Sequence, residues 1–422
     1  SLHKDLLIAN CPFLLFLTGI IFLSPKYYFY LFSINFPIVK HLLPVLLFSF
    51  LLACGSGNPS GENGRAPDLD FKLDTVQIDA KGEILFLNNN LRFAALTADK
   101  QYLYNLNSQT YTIEQIDLDK LALEALLPFE KEGPDGIGAY MLGMRLVEGD
   151  KFLMSGYGNH ALFDRKGKKL ADVGPETVPF FGSEKEEGNV LFPVRLPGTI
   201  AAYAGVYVVP GEREPWLLFW DTEEKSYRKV RNPLLEKSVQ YQRDFDDGTT
   251  ALFMSGGEYL EVENERVLLF LAGSSDLYVL EPGEKDFQPK TFENGWIPRE
   301  KETVFPEKIT NRVRFQELIR KFNEEIAYHK PIWDESRQVY YRLSHKMEYG
   351  VGEASPSYSL FPNPEGASIY LTIYDTDFNL LRESPVPVLD LPPSFHFAKD
   401  GKIWIFENIE DEMGFVRLSF DL

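Results

Sequence analysis

Short runs of alternating apolar and polar residues fill the chain from Phe71 to its end, and most are followed by Gly, Asp or Asn. A period of two predicts β-strands with one buried face. Apolar spacing of three and four residues, which predicts helices, is clear at residues 311–327, where Asn311 is the expected cap. The pattern therefore predicts an all-β domain with one helical insertion, and the apolar stripe favours packing of this helix over a role as a lid.

Two sequence marks each occur six times in this region. In the first, an acidic or glycine-containing turn separates two strand-like runs, at Thr97–Lys100, Glu148–Asp150, Glu186–Asn189, Glu263–Glu265, Asp334–Ser336 and Lys399–Gly401. In the second, an apolar residue and then an acid end a strand, at Ile116–Asp117, Phe163–Asp164, Trp220–Asp221, Leu280–Glu281, Tyr374–Asp375 and Phe420–Asp421. A unit of about 40–50 residues with four strands is typical of a propeller blade, and longer intervals indicate insertions.

The two ends of the region complement each other. The chain stops after Phe420–Asp421, so the sixth blade lacks a fourth strand, and Phe71–Ile78 is a spare strand at the other end. Pairing these two segments would close the ring and remove an exposed sheet edge. The sequence therefore predicts a six-bladed β-propeller of four-stranded antiparallel blades closed by an N-terminal strand, in preference to a β-solenoid or two separate sandwiches.

The apolar residues before Phe71 are distributed differently, in long runs at 6–23 and 42–52. The second run follows Lys40 and ends in Leu-Leu-Ala before Cys54, which is typical of a secretory signal rather than of a membrane span. This ending is similar to a bacterial lipobox, in which the cysteine is lipidated. We predict a signal region at 1–53, a lipidated Cys54 with a flexible tether at 54–68, and a propeller domain at 69–422.

Residues 1–38 have two interpretations, because the chain begins at Ser1 and has no Met before Met141. They are either a translation upstream of the true start, near Val39, or a genuine N-terminal span that Asn10 and Pro12 would weaken. Gly55 stands where an inner-membrane retention signal would place Asp, which favours the outer membrane. The predicted location is therefore the cell envelope, and the side of the membrane stays open.

In a propeller, the loops between second and third strands open on the same face as the links between blades, and we call this the mouth face. The long segments are predicted to belong to these two classes: the loops Arg195–Trp216 and Ser344–Ser368, and the links Leu127–Tyr140, Arg231–Ala251 and Thr291–Lys330. A propeller face that carries the long loops is the usual place for a ligand. The alternative is that the loops are long only because insertions in loops are tolerated. The ligand-binding candidates in this class of loop are Tyr157, His160, Arg195, Arg342 and His345, whereas His396 is predicted to pack in a strand.

Composition narrows the possible functions. Acidic residues outnumber basic ones by 62 to 43, giving a net charge of −19, which argues against a nucleic-acid partner. Two cysteines exclude a disulfide framework, and no catalytic or metal-binding motif is present, so we predict no catalytic residues, no metal ligands and no cofactor. The glycines of Lys131–Gly138 favour a turn over a phosphate loop, and the acids of Asp244–Asp247 favour a solvated turn over a cation site.

The lipobox, the tether, the phrase Thr97–Tyr104 and the turn Lys131–Gly138 together carry a resemblance. Over residues 54–422 the chain resembles the uncharacterised lipoproteins of Bacteroidetes-type bacteria that share a domain of unknown function and a TolB-like six-bladed propeller. The resemblance implies a fold and a location but no catalytic residues. Because the sequence offers a platform of loops and no nucleophile, it favours a membrane-tethered binding or scaffolding module for a protein, peptide or glycan. The alternative is a glycan- or lactone-acting hydrolase or lyase, with carboxylates or a divalent ion at the propeller axis.

Overall fold

A computed structural model describes residues 68–148, 150–179, 188–290, 292, 295, 297–350 and 359–422. The predictions for the signal region, for Cys54 and for the tether up to residue 67 lie outside this range. Within it, no helix has the length and apolar character needed to cross a membrane.

In the part of the chain that the structure describes, twenty-six strands account for most of the regular structure. In chain order they are β1 (Phe71–Gln77), β2 (Ala94–Leu96), β3 (Tyr102–Asn107), β4 (Thr112–Asp117), β5 (Ala122–Pro128), β6 (Met141–Val147), β7 (Lys151–Gly156), β8 (Asn159–Phe163), β9 (Lys169–Asp172), β10 (Asn189–Arg195), β11 (Ala202–Val208), β12 (Trp216–Asp221), β13 (Ser226–Val230), β14 (Arg243–Asp246), β15 (Ala251–Met254), β16 (Glu258–Glu263), β17 (Arg266–Leu271), β18 (Leu277–Leu280), β19 (Gln288–Lys290), β20 (Ala327–Asp334), β21 (Val339–Glu348), β22 (Gly366–Tyr374), β23 (Leu380–Pro385), β24 (His396–Lys399), β25 (Lys402–Ile409) and β26 (Glu412–Phe420).

Six four-stranded antiparallel sheets form the blades of a β-propeller, as predicted. Blades 1 to 5 run in chain order as β2–β5, β6–β9, β10–β13, β16–β19 and β20–β23, with the first strand of each blade innermost. Blade 6 consists of β24, β25 and β26, and its outermost strand is β1. Residue Phe71 pairs with Phe420 and Gln77 with Gly414, so the N-terminal strand closes the ring.

The second sequence mark locates the end of a third strand in all six blades. Each of its acids ends a third strand or directly follows one, and in blades 1 to 5 it lies at the turn toward the outermost strand. The first mark is correct in five blades, where it lies between the innermost and second strands. In blade 3 the prediction is wrong, because Glu186–Asn189 precedes the innermost strand, and residues 196–201 make the turn after it. An inter-blade link and a hairpin turn can share the same acidic and glycine-rich composition.

Among the described residues, the links between blades contain two helices and a hairpin. The link from blade 3 to blade 4 contains α1 (Pro233–Ser238), a short 3₁₀ turn (Val239–Tyr241) and the two-stranded sheet of β14 and β15. The link from blade 4 to blade 5 contains α2 (Arg312–Glu324), and the side chain of Asn311 caps it by accepting from the Arg314 N–H. A second 3₁₀ turn (Pro175–Thr177) lies between blades 2 and 3.

Helix α2 packs on the blades, as its sequence pattern favours. Its residues Phe315, Leu318, Ile319 and Phe322 are buried and join the apolar cluster between blades 3 and 4. The ring of Phe315 lies 4.7 Å from that of Phe245 in the hairpin. The helix therefore fixes the hairpin on the propeller.

The core is divided into layers between neighbouring blades. Six buried clusters occupy the six blade-to-blade interfaces in turn, including the closing interface between blades 6 and 1. Aromatic rings fill much of this space, as in the edge-to-face pair of Phe71 and Phe420, whose centroids are 5.5 Å apart. The high content of Phe and Tyr thus serves sheet-on-sheet packing.

Candidate functional site

The axis of the ring is bounded by the six innermost strands, and ion pairs cross it. Arg145 in blade 2 donates to Glu261 Oε2 at 2.6 Å and to the Leu260 carbonyl at 2.7 Å, both in blade 4. Lys330 Nζ in blade 5 lies 3.5 Å from Glu263 Oε1. Burial raises the pKa of Glu261, but the positive charges of Arg145 and Lys330 lower it more, and the net shift is downward. The carboxylates of Glu261 and Glu263 therefore lie within ion pairs, whereas Glu258 of the same strand is buried without a hydrogen-bond partner among the described residues, and burial raises its pKa.

Three histidines meet between blades 5 and 6. His329 Nε2 lies 2.9 Å from His345 Nδ1, and the His329 and His396 ring centroids are 5.2 Å apart. Burial lowers the pKa of His345 and of His396 to about 4. Burial, together with the neighbouring His396, His345 and Arg342, lowers the pKa of His329 well below its ordinary value. The rings are therefore neutral at pH 7, and in the described part of the chain no three His, Cys, Asp or Glu residues are arranged to hold a metal ion.

An open cleft of about 380 Å³ lies on the mouth face between blades 1 and 2, and we call it the blade 1–2 cleft. Its lining comes from the segment before β2, from the turns between second and third strands in both blades, and from the link between the blades. The lining residues are Arg92, Phe93, Leu106, Ser108, Tyr111, Ala139, Tyr140, Met141, Leu142 and Tyr157. None of these residues is acidic.

Two tyrosines project from this lining into solvent. Tyr140 is 78% exposed and Tyr157 is 65% exposed, whereas the neighbouring Phe93 and Leu106 are buried and form part of the packed interface. An exposed aromatic side chain that lines a concave surface is a candidate contact for a ligand. The cleft thus combines an apolar floor with two aromatic side chains at its surface.

Backbone geometry places the two tyrosines together. Tyr157 and Gly158 form the two-residue turn between β7 and β8, and Gly158 takes a positive φ of +65°. Residue Gly156 lets the link approach this turn, since a Cβ atom at that position would be 2.9 Å from the Tyr140 carbonyl oxygen. Glycine is required at such a close approach of two backbones.

Arg92 supplies the charge of the cleft. Its side chain is exposed, and its guanidinium lies 5.5 Å from the centroid of the Phe93 ring. Among the described residues, no carboxylate forms an ion pair with it. Arg92 therefore places one positive charge in a lining that holds no acid, on a chain of net charge −19.

One of the five predicted ligand-binding residues, Tyr157, lies in a mouth-face loop and lines the cleft. The loop placement of two others is wrong. His160 is in β8, where it is 1% exposed and burial lowers its pKa to about 4. Arg195 ends the innermost strand β10, and it pairs with Glu148 in the turn between β6 and β7 on the face opposite the mouth. The prediction of a loop at Arg195–Trp216 treats the segment of β10 as the second strand of blade 3, whereas β10 is the innermost strand.

Arg342 and His345 are also in a strand rather than in a loop. Strand β21 extends over ten residues, to Glu348, so the predicted loop Ser344–Ser368 is shorter in the structure. Arg342 is fully buried and donates to the carbonyl oxygens of His329 and of Ser275, at 2.8 and 2.6 Å. Its contacts tie blade 5 to blade 4, and the same strand places His345 against His329.

The sequence did not indicate several residues that the fold brings together. Tyr140 and Arg92 precede innermost strands and line the cleft, yet nothing in their local pattern distinguishes them from other loop residues. His396 is packed in a strand, as predicted, but its contact with His329 joins two blades and has no local sequence mark. The acidic turn near Asp244–Asp247 is held by Asp246 with Lys308 and by Asp247 with Arg312, at 3.0 and 2.8 Å.

Comparison with known proteins identifies the family. The family model for a domain of unknown function, DUF4221, matches residues 68–385. A crystal structure of a DUF4221 family member from Bacteroides vulgatus ATCC 8482 has a TM-score of 0.60 at 15% identity, covering 84% of this chain and 99% of that chain. The calcium-binding protein regucalcin from Agrobacterium tumefaciens strain C58 has a TM-score of 0.36 at 8% identity, covering 78% and 91%.

No curated protein matches the sequence. The family match extends over most of the chain and confirms the resemblance to a family with this domain of unknown function. The similar fold of the Bacteroides vulgatus protein agrees with the propeller described above. The chain belongs to the DUF4221 family, and its described residues form a six-bladed β-propeller.

Proposed function

We propose that this protein is a lipid-anchored binding module of the bacterial cell envelope and that the blade 1–2 cleft holds its ligand. The observation that carries the proposal is the pair of exposed tyrosines, Tyr140 and Tyr157, in a concave lining without acids. Aromatic side chains offer a large, rigid contact area at a low cost in conformational entropy. Binding therefore fits this lining better than acid–base catalysis does.

The alternative is a hydrolase or lyase with carboxylates or a divalent ion at the axis. Such chemistry needs a carboxylate that is free to exchange protons or to bind a cation. Glu261 is held by Arg145 and Glu263 lies beside Lys330, which weakens this alternative. The alternative would be supported if the wild type turned over a glycan or lactone and the variant Glu261→Gln did not.

The binding proposal is tested by screening the full-length protein and the double variant Tyr140→Ser/Tyr157→Ser against glycan and peptide arrays. We expect at least one ligand class to bind the wild type and to be lost in the double variant. Phe253→Ala serves as the matched control, because Phe253 is an exposed aromatic residue (62%) in the hairpin, outside the cleft lining. Ligands that bind the double variant as well as the wild type would contradict a site at the cleft.

The anchoring proposal rests on Cys54 and on the apolar run before it. We expect Cys54→Ala to move the protein from the membrane fraction to the soluble fraction, because a lipidated cysteine provides the membrane affinity. Immunoblotting of separated membranes would measure this distribution, and Ser56→Ala serves as a control in the tether. Retention of Cys54→Ala in the membrane fraction would contradict lipid anchoring.

A further inference from the structure

We infer that the ligand of the blade 1–2 cleft is an acidic saccharide of one or two rings, its sugar face stacked on Tyr140 and Tyr157 and its carboxylate paired with Arg92. This inference rests on the proposed function of the cleft and specifies the chemistry of its ligand. It is carried by the shape, aromatic surface and charge of the lining together.

The two exposed tyrosines fit the apolar face of a sugar ring. Pyranose rings present C–H bonds on a face, and the face of an aromatic ring is the negative side of its quadrupole, so the two attract each other. The phenol hydroxyl groups of Tyr140 and Tyr157, and the hydroxyl group of Ser108 in the same lining, can exchange hydrogen bonds with sugar hydroxyls. An aromatic face beside several hydroxyl groups matches the alternation of apolar and polar surface on a saccharide.

The charge of the lining selects an acidic sugar. Arg92 is exposed and forms no ion pair with a described residue, and no acid stands among the lining residues. A guanidinium holds a carboxylate through two parallel hydrogen bonds, which gives direction as well as affinity. The Lys131 ammonium lies 5.7 Å from the centroid of the Tyr111 ring and adds a second positive charge near the lining.

The volume limits the size of the ligand. About 380 Å³ is near the lower end of small-molecule sites, which range from about 300 to 1,000 Å³. One or two sugar rings fit this space, with longer chains extending into solvent. Aromatic grooves also bind proline-rich peptides, but such a peptide offers Arg92 no negative charge.

The inference is tested by titrating the full-length protein with two acidic disaccharides, digalacturonate and dimannuronate, in a calorimeter. The neutral disaccharide galactobiose and a proline-rich decapeptide serve as comparison probes. We expect at least one acidic disaccharide to bind about tenfold more tightly than galactobiose. Arg92→Gln should weaken the acidic disaccharide about tenfold and so remove this difference, and Tyr157→Ala should weaken both disaccharides about tenfold.

Two control variants match these substitutions outside the cleft. Arg314→Gln removes an exposed arginine of α2, and Phe253→Ala removes an exposed aromatic residue, so both should leave all affinities unchanged. Equal affinity for the acidic and neutral disaccharides would overturn the inference, as would preference for the decapeptide or no binding of either acidic disaccharide. If the arrays meanwhile yield another ligand that depends on Tyr140 and Tyr157, the proposed function stands although the saccharide inference fails.

Discussion

Single aspartates at the strand ends hold the tight turns of the blades. Asp164 Oδ1 accepts hydrogen bonds from the backbone N–H groups of Lys166 and Lys168, at 2.8 and 2.9 Å. Asp117, Asp221 and Asp375 each likewise accept two backbone N–H groups in the corresponding turns. A short side chain with an acceptor oxygen favours such turns, which explains why an acid recurs at this position.

Replacing Asp164 tests this role. Asp164→Ala should lower the free energy of unfolding by about 1–2 kcal/mol, because two backbone N–H groups lose a charged acceptor. Asp164→Asn should lose less, since the amide keeps one acceptor oxygen. Urea denaturation would measure both variants, and equal losses for Ala and Asn would contradict the role of the acceptor.

His160 makes stability depend on pH. Burial lowers its pKa to about 4, whereas an exposed histidine titrates near 6.5. The unfolded chain therefore binds the proton at a higher pH than the folded one. The free energy of unfolding therefore holds this contribution in full above pH 6.5 and loses it as the pH falls toward 4. The loss amounts to at most about 3 kcal/mol.

We therefore expect His160→Leu to unfold with a weaker pH dependence than the wild type between pH 6.5 and 4. Denaturant titrations at four pH values in that range would measure the slope. Because the His160 Nδ1 atom has no hydrogen-bond partner among the described residues, leucine removes no bond to that atom. An unchanged slope would show that protonation of His160 does not contribute.

At the scale of elements, strand β1 joins the two ends of the described domain. Its Phe71 ring packs against Phe420, and Asp74 forms an ion pair with Arg417 of β26. The Leu69 N–H also donates to Ser384 Oγ at 3.0 Å, which ties the segment before β1 to blade 5. Closure of the ring thus uses side-chain packing as well as the backbone ladder.

Phe71→Ala should destabilise the domain by about 3–5 kcal/mol, because it leaves a cavity at the closing strand. Leu73→Ala is the matched control in the same strand, since Leu73 is 43% exposed, and its cost should stay below about 1 kcal/mol. Thermal and urea unfolding would compare the two variants. Similar losses for both would contradict a specific role of the Phe71 contact.

Strand ends and the helix start were predictable because their signals are local, and closure was predictable from the strand that the sixth blade lacks and the spare strand at Phe71–Ile78. A turn aspartate acts on backbone groups two to four residues away, and Asn311 caps its own helix. Arg195 was misplaced because the segment before β10 has the composition of a hairpin turn, and composition does not distinguish a link from a hairpin. His345 was misplaced because the length of β21 is set by its pairing with β22, which no local pattern records.

At the scale of the whole molecule, the candidate site is a product of the closed ring. The lining residues Arg92, Ser108, Tyr140 and Tyr157 come from four separate segments, and only the packing of blade 1 against blade 2 brings them together. The axial charges are joined in the same way, since Arg145 of blade 2 reaches Glu261 of blade 4. Contacts of this kind depend on the number and order of blades, so sequence alone could indicate the mouth face but not the cleft.

The central claim, that ligand binds at the blade 1–2 cleft, is tested most directly by determining a crystal structure in the presence of saturating digalacturonate. The account predicts a sugar ring against Tyr140 and Tyr157, with its carboxylate within hydrogen-bond distance of the Arg92 guanidinium. A ligand bound instead at the axis beside Glu261 and Glu263, with the cleft empty, would contradict it.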